Sequence, residues 1–256
     1  MSRTVELRHF GRRFRNDAGF VQAVADVNLR AEPGEFVALV GPSGCGKSTI
    51  LRAIAGLDAG YSGEVLADGV AITGQDTSRG IIFQEPRLFP WLTVSANIGF
   101  GLRTPAQRRK EQVHELIELV GLSGFEQAYP YQLSGGMAQR AAIARALAPQ
   151  PDVLLLDEPF GALDAFTRMR LQDALEEIWL TRRMTTLLVT HDIDEALALS
   201  QRVVVMTPRP GHVARVLEID LPYPRERTSE RFAAYRSELL TAFGLGSTAH
   251  SSVPNR

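Results

Sequence analysis

The stretch FVALVGPSGCGKST, residues 36–49, restricts the fold more than any other part of the chain. Its first five residues are all apolar, which predicts a short strand buried on both faces of a parallel sheet. The rest fits G-x-x-x-x-G-K-S/T, and a helix is predicted over roughly residues 48–55. In that setting Gly41, Pro42, Ser43, Gly44, Cys45 and Gly46 form a loop whose glycines let the backbone close around a phosphate, with N–H groups turned inward. The helix start adds the positive end of its dipole. Lys47 is placed to reach β- and γ-phosphates and the Ser48 hydroxyl to ligate Mg²⁺, with Thr49 next to it as a further nucleotide-binding candidate. A chance glycine turn would need neither the strand nor the helix.

Three further apolar runs end in polar residues. GIIF (80–83) leads to Gln84, VLLL (153–156) to Asp157 and Glu158, and TLLV (186–189) to Thr190 and His191. Ligands of open α/β sheets gather beyond the carboxyl ends of the strands, so the four ends together argue for one assembled site. Asp157 is expected to serve as the carboxylate on the Mg²⁺ side, and Glu158 to polarise an attacking water. Without the phosphate loop, that acid pair would read as a helix N-terminus. His191 in isolation would read as a structural histidine or part of an Asp192 cap; at this edge it reads as a γ-phosphate contact. His9, His114, His212 and His250 lack such a setting and read as ordinary structural or surface histidines.

A second glycine turn follows nearly a hundred residues later, in LSGGMAQR. Ser134, Gly135 and Gly136 precede an alanine-rich helix that Pro149 and Pro151 stop. Such a turn is an anion site without a lysine, and equally a plain cap and hinge. One phosphate site already exists, so the turn makes sense if it serves a neighbour's nucleotide, two copies facing head to tail about a two-fold axis.

The chain's 256 residues suffice for one sizeable domain with an inserted subdomain, and 45% hydrophobic with 22% charged residues suits a soluble globular protein. A net charge of −1 gives no bias toward nucleic acid or anionic lipid. The single cysteine, Cys45, excludes an internal disulfide and a multi-cysteine metal site, in keeping with a reducing cytoplasm. Its place beside Lys47 and a helix start favours a reactive thiolate. The charged N-terminus lacks a following apolar stretch, so no secretory signal is read. No apolar run approaches the ~18 residues that cross a bilayer, so membrane attachment must run through a partner.

Between Gln84 and Pro149 the pattern turns helical. TPAQRRKEQVHELIELVGL carries Val113, Leu116, Ile117 and Val120 at amphipathic spacing, with Arg108, Arg109 and Lys110 on the solvated face. Before it, EPRLFPW holds Leu88 and Phe89 between prolines and Trp91 just after the second, an irregular loop whose apolar residues are either exposed or packed into the helical region. Residues 203–220 read as closing strands, and the terminal GSTAHSSVPNR as disordered.

Together, residues 41–49, Gln84, LSGGMAQR, VLLLDEP, GALD (161–164) and His191 stand in the order of the ABC transporter ATPase family, which the chain resembles over about residues 3–220. The resemblance implies an α/β fold. It has a P-loop NTPase core with a mainly parallel sheet, an N-terminal antiparallel β subdomain and an α-helical subdomain inserted at about 86–149. Residues 221–256 form a C-terminal extension. It further implies a homodimer with two ATP molecules sandwiched between subunits. Ser134, Gly135 and Gly136 then contact the partner's γ-phosphate, and Gln84 senses Mg²⁺ and the attacking water. Asp164 lies at the dimer seam, and His191 contacts the γ-phosphate. Phe14 resembles the aromatic that stacks on adenine, with Phe10 as the fallback because RNDAGFVQ lengthens the usual spacing. Met137 stands where the family usually has glutamine. EPRLFPW, DEPFGALDAFTR and PRPGHVARVLEIDLPYPR look most like the nitrate, sulfonate and taurine importer branch. That branch implies a peripheral subunit at the cytoplasmic face of the inner membrane. Its expected partners are permease subunits, a helix of which is received by the region EPRLFPWLTVSANIGFG (85–101), and a periplasmic or lipid-anchored solute-binding protein. Nucleic acid is not expected. The alternative, a soluble ABC ATPase acting on nucleic acid or ribosomes, normally brings coiled-coil insertions or paired cassettes that are missing here. An ordinary P-loop kinase would leave the second turn and GALD unexplained.

Overall fold

A computed structural model describes residues 2–16 and 19–243. The chain begins with a long hairpin, β1 (Val5–Asn16) and β2 (Gly19–Ala31), then β3 (Phe36–Val40) and α1 (Lys47–Ile54). Next come β4 (Tyr61–Ala67), the short β5 (Val70–Ala71) and β6 (Arg79–Ile82). A helical stretch follows, with α2 (Val94–Gly99), α3 (Ala106–Leu119) and α4 (Gly135–Leu147). The chain closes with β7 (Val153–Asp157), α5 (Ala165–Arg182), β8 (Thr185–Thr190), α6 (Ile193–Leu199), β9 (Arg202–Met206), β10 (Val213–Glu218) and α7 (Glu230–Ala242).

These strands form two sheets. One has six strands in the order β10-β9-β3-β8-β7-β6, parallel except for β10; the other is antiparallel, β2-β1-β4-β5. Residues of β3 alternate between two cores. Phe36, Ala38 and Val40 face the helices, whereas Val37 and Leu39 face α1 and the antiparallel sheet. Leu154 and Leu156 of β7 likewise join the first core, Val153 and Leu155 the second. Both faces are therefore buried, which is why these strands show no polar alternation; each such side chain contributes about 1.5–3 kcal/mol.

Local boundaries shift by a residue. The second run pairs over Arg79–Ile82, leaving Phe83 beyond the strand end, and the first helix begins at Lys47. Val113, Leu116 and Ile117 of α3 are buried while Arg108, Arg109 and Lys110 are exposed, as their spacing demands. The loop before α2 divides its apolar residues: Leu88 packs on the core and Phe89 lies between Trp91 and Phe100, whereas Trp91 remains 69% exposed. The α7 helix was not legible as a helix in the sequence. It is capped by Ser229 and docks through Phe232 and Leu239. Residues 246–256, expected to be disordered, and His250 lie outside the described residues.

Candidate nucleotide site

The loop between β3 and α1 is shaped by its contacts. Gly46 has φ 99°, and a Cβ there would meet Val24 Cγ2 at 2.2 Å, so only glycine fits between loop and hairpin. Lys47 is buried and lies across the loop, donating to the carbonyls of Gly41 at 2.7 Å and Pro42 at 3.1 Å. Those carbonyls fix the ammonium where an anion in the loop would meet it. The Ser48 hydroxyl donates to Asp157 Oδ1 at 2.7 Å. Burial pushes the Asp157 carboxyl above the usual carboxylate range, with the Ser48 bond opposing. A hydroxyl beside a buried carboxylate suits Mg²⁺, which takes few protein oxygens and completes its shell with phosphate and water.

Beyond the ends of β6, β7 and β8, three side chains meet on one atom. Gln84 Nε2 donates to Glu158 Oε2 at 3.2 Å, and His191 Nδ1 lies 3.3 Å from that same oxygen. Glu158 sits at φ 47°, in the left-handed region, which costs a side-chain-bearing residue about 1 kcal/mol or more. Its N–H donates to Val189 O, pinning the strained residue to β8.

These groups open on one cavity of about 600 Å³, lined by Phe14, Ser43, Gly44, Gly46, Lys47, Ser48, Thr49, Gln84, Glu158 and His191 among others. Phe14 is 42% exposed at its margin, and the Arg12 guanidinium lies 4.5 Å from its ring centroid. Phe10, the fallback aromatic, is buried in the core against Tyr61 and does not reach the cavity. Cys45 corrects the expectation of a reactive thiol: its side chain is completely buried beneath the loop, with Sγ 3.8 Å from Lys47 Nζ. Gly41, Pro42 and Cys45 thus support the loop rather than line the cavity.

The second turn lies elsewhere. Ser134 caps α4, accepting from Met137 N–H at 3.2 Å, and neither it nor Gly135 and Gly136 lines the cavity. A Cβ built on Gly135 meets nothing within 4 Å, so nothing among the described residues demands glycine there. Gly136 is tighter, with Leu163 Cδ2 3.3 Å from such a Cβ. Met137 is partly buried against the helical core. Asp164 caps α5, where the Thr167 N–H holds its carboxyl below the usual range, and Phe166 beside it is 83% exposed.

Three residues at the site escaped sequence reading. Gln139 of α4 is buried and donates to Phe83 O at 3.1 Å, directly before Gln84. Arg145 donates to the carbonyls of Pro86 and Arg87 just after it. Their polarity at inward helix positions was the available signal. Arg209 enters the cavity wall from the turn between β9 and β10, through a proline-rich stretch with no periodicity to read.

The fold and site define an ATP-binding cassette, and comparison with known proteins agrees. The ABC transporter family model matches residues 24–161. The aliphatic sulfonates import ATP-binding protein SsuB of Bacillus cereus is 50% identical over 250 residues, covering 98% of this chain and 100% of the relative. Its counterpart SsuB 1 of Xanthomonas axonopodis pv. citri is 49% identical, with 93% and 95% covered. A solved ATP-binding cassette, described as a dimer in a post-hydrolysis state bound to ADP and Pi, matches with TM-score 0.77 and 33% identity. That match covers 84% of this chain and 98% of that one. The chain belongs to the ABC transporter family, as an ATP-binding, ATP-hydrolysing subunit.

Proposed function

We propose that the chain energises an importer of a small anion such as an aliphatic sulfonate, taurine or nitrate, and the relatives' names favour aliphatic sulfonates. The observation that carries the ATPase assignment is the convergence of Gln84 and His191 on Glu158 Oε2 at the end of the phosphate-loop cavity. In this reading adenine stacks on Phe14 and the triphosphate lies in the loop, with Lys47 neutralising its β- and γ-oxygens. Glu158 accepts a hydrogen bond from water, whose oxygen bonds the γ-phosphorus as the bond to the ADP oxygen breaks. Gln84 and His191 hold the Glu158 carboxylate in register, and His191 reaches the γ-phosphate. Mg²⁺, held by Ser48 and Asp157, would supply charge neutralisation on the phosphates.

The second turn, free of its own chain's cavity, closes the site of a second copy. Ser134 and the N–H groups at the start of α4 meet the partner's γ-phosphate, and Asp164 lies along the seam. An open approach at Gly135 supports this, because the missing side chain leaves room for another molecule rather than for this one.

No helix among the described residues is long and apolar enough to cross a membrane. Attachment to the cytoplasmic face of the membrane therefore runs through permease subunits, with a solute-binding protein completing the complex. A groove of about 680 Å³, lined by Leu92, Phe100, Val113 and Ile117 among others, suits an amphipathic helix of the permease. The relatives lend nothing to the alternative of a soluble ATPase acting on nucleic acid or ribosomes.

The assignment is tested with Glu158→Gln, in which an amide cannot act on water as the carboxylate does. The variant should bind ATP, lose about 100-fold or more of its turnover, and accumulate as an ATP-bound dimer on size exclusion. Turnover within about threefold of wild type would remove Glu158 from the role given to it.

A further inference from the structure

The turn from Thr207 to His212 touches two parts of the molecule at once. Its ends are closed by Thr207, whose N–H donates to His212 O at 2.9 Å and whose hydroxyl accepts from His212 N–H at 2.9 Å. Gly211 ties it to β2, donating to Ala23 O at 2.9 Å and accepting from Ala25 N–H at 3.0 Å. The same Gly211 lies against the phosphate loop so closely that a Cβ would fall 2.0 Å from Cys45 O. The turn is therefore wedged between the hairpin that carries Phe14 and the loop that carries Lys47.

At its tip, Arg209 directs Nε and Nη2 to the single carbonyl oxygen of Gly44, both at 3.2 Å, and its side chain forms part of the cavity wall. Among the described residues Arg209 has no carboxylate partner. Two N–H groups on one oxygen leave the rest of the planar fork unspent beside an anion-binding loop, and guanidinium geometry suits phosphate oxygens. We propose that Arg209 is a second cation of the nucleotide site, binding the nucleotide's phosphate oxygens from outside the phosphate loop while Gly44 O fixes its orientation. The proposal rests on the reading of this cavity as the ATP site. It gives the arginine of PRPGHV a task that the phosphate-loop motif does not contain.

The test is nucleotide affinity of the full chain, with MgATP and MgADP, by calorimetry across a salt series. Arg209→Gln should weaken both nucleotides roughly 5- to 20-fold and flatten the salt dependence, as loss of a charge-assisted contact requires. Arg209→Lys, which keeps the charge but not the fork, should bind more weakly than wild type but more tightly than Arg209→Gln and keep the wild-type salt dependence. Both variants should keep the nucleotide-free melting temperature within about 2 °C. Wild-type affinity in Arg209→Gln would overturn the proposal. An Arg209→Lys variant as weak as Arg209→Gln, with both melting lower, would overturn it as well by assigning Arg209 to loop shape alone. Lys47→Ala separates the two readings: if it too bound nucleotide like wild type, the cavity itself would not be the ATP site.

Discussion

Glu158 stands at the end of β7 in a left-handed backbone conformation, with its N–H on β8 and its carboxylate under Gln84 and His191. Strain of this kind persists only where the surroundings over-determine it. Residue types and strand ends made this constellation readable in the sequence, because each polar group follows directly on an apolar run. Burial was less readable. The helix start and Lys47 beside Cys45 suggested a reactive thiolate, yet the loop folds over the sulfur, which is fully buried. Maleimide should therefore label Cys45 in the native chain at least ~100-fold more slowly than in denaturant, with or without MgATP. Mass spectrometry of timed samples checks this; native labelling as fast as in denaturant would place the thiol at the surface. The choice between Phe14 and Phe10 was likewise open until their positions on the hairpin separated them, one at the cavity margin and one in the core.

Elements position these residues through buried polar contacts that carry no motif. α4 holds the segment around Gln84 from one side through Gln139 and Arg145, so the helix that begins with Ser134 is physically joined to the residue that donates to Glu158 in the cavity. α6, which starts just after His191, is anchored by buried Glu195, accepting from Gln172 Nε2 at 3.1 Å while the Asp192 carboxylate accepts from the Glu195 N–H. Burial pushes the Glu195 carboxyl up to about 7. A folded value raised above the unfolded one means that the protonated form stabilises the fold. That contribution is complete below about 4.5 and is lost as pH rises through about 7. Glu195→Gln mimics the protonated form. Relative to wild type it should gain stability between pH 5 and 8, by about 3 kcal/mol at most, with no relative gain near pH 4. Urea unfolding of both chains at several pH values measures it, and parallel pH profiles would contradict it. The parallel strands were legible because apolar runs without alternation have few other structures open to them. α7 was not, because only Phe232 and Leu239 of its thirteen residues are buried and the periodic signal is correspondingly thin.

At the scale of the whole molecule, the phosphate loop and Glu158 share one cavity, with the buried Asp157 held to Ser48 of its wall, while the Ser134–Gly135–Gly136 turn opens on solvent away from it. On the proposed reading, one chain presents two halves of a site that do not meet within it. A two-fold arrangement joins each half to its complement and explains at once the second glycine turn, the unconstrained Gly135 and the exposed Phe166 beside Asp164. This reasoning from a redundant phosphate turn was available in the sequence, but alone it stood level with a plain helix cap, since Ser134 does cap α4. The missing ingredient was spatial: whether the turn reaches its own chain's loop. The most direct test mixes two inactive chains, Lys47→Ala and Ser134→Arg. Each homodimer carries a defect in both of its sites, whereas the heterodimer unites an intact phosphate loop with an intact turn at one site. Equimolar mixing should therefore restore roughly a quarter of the wild-type number of complete sites, read as ATP hydrolysis well above that of either variant alone. Activity of the mixture no greater than the mean of the two separate variants would contradict a site shared between two chains.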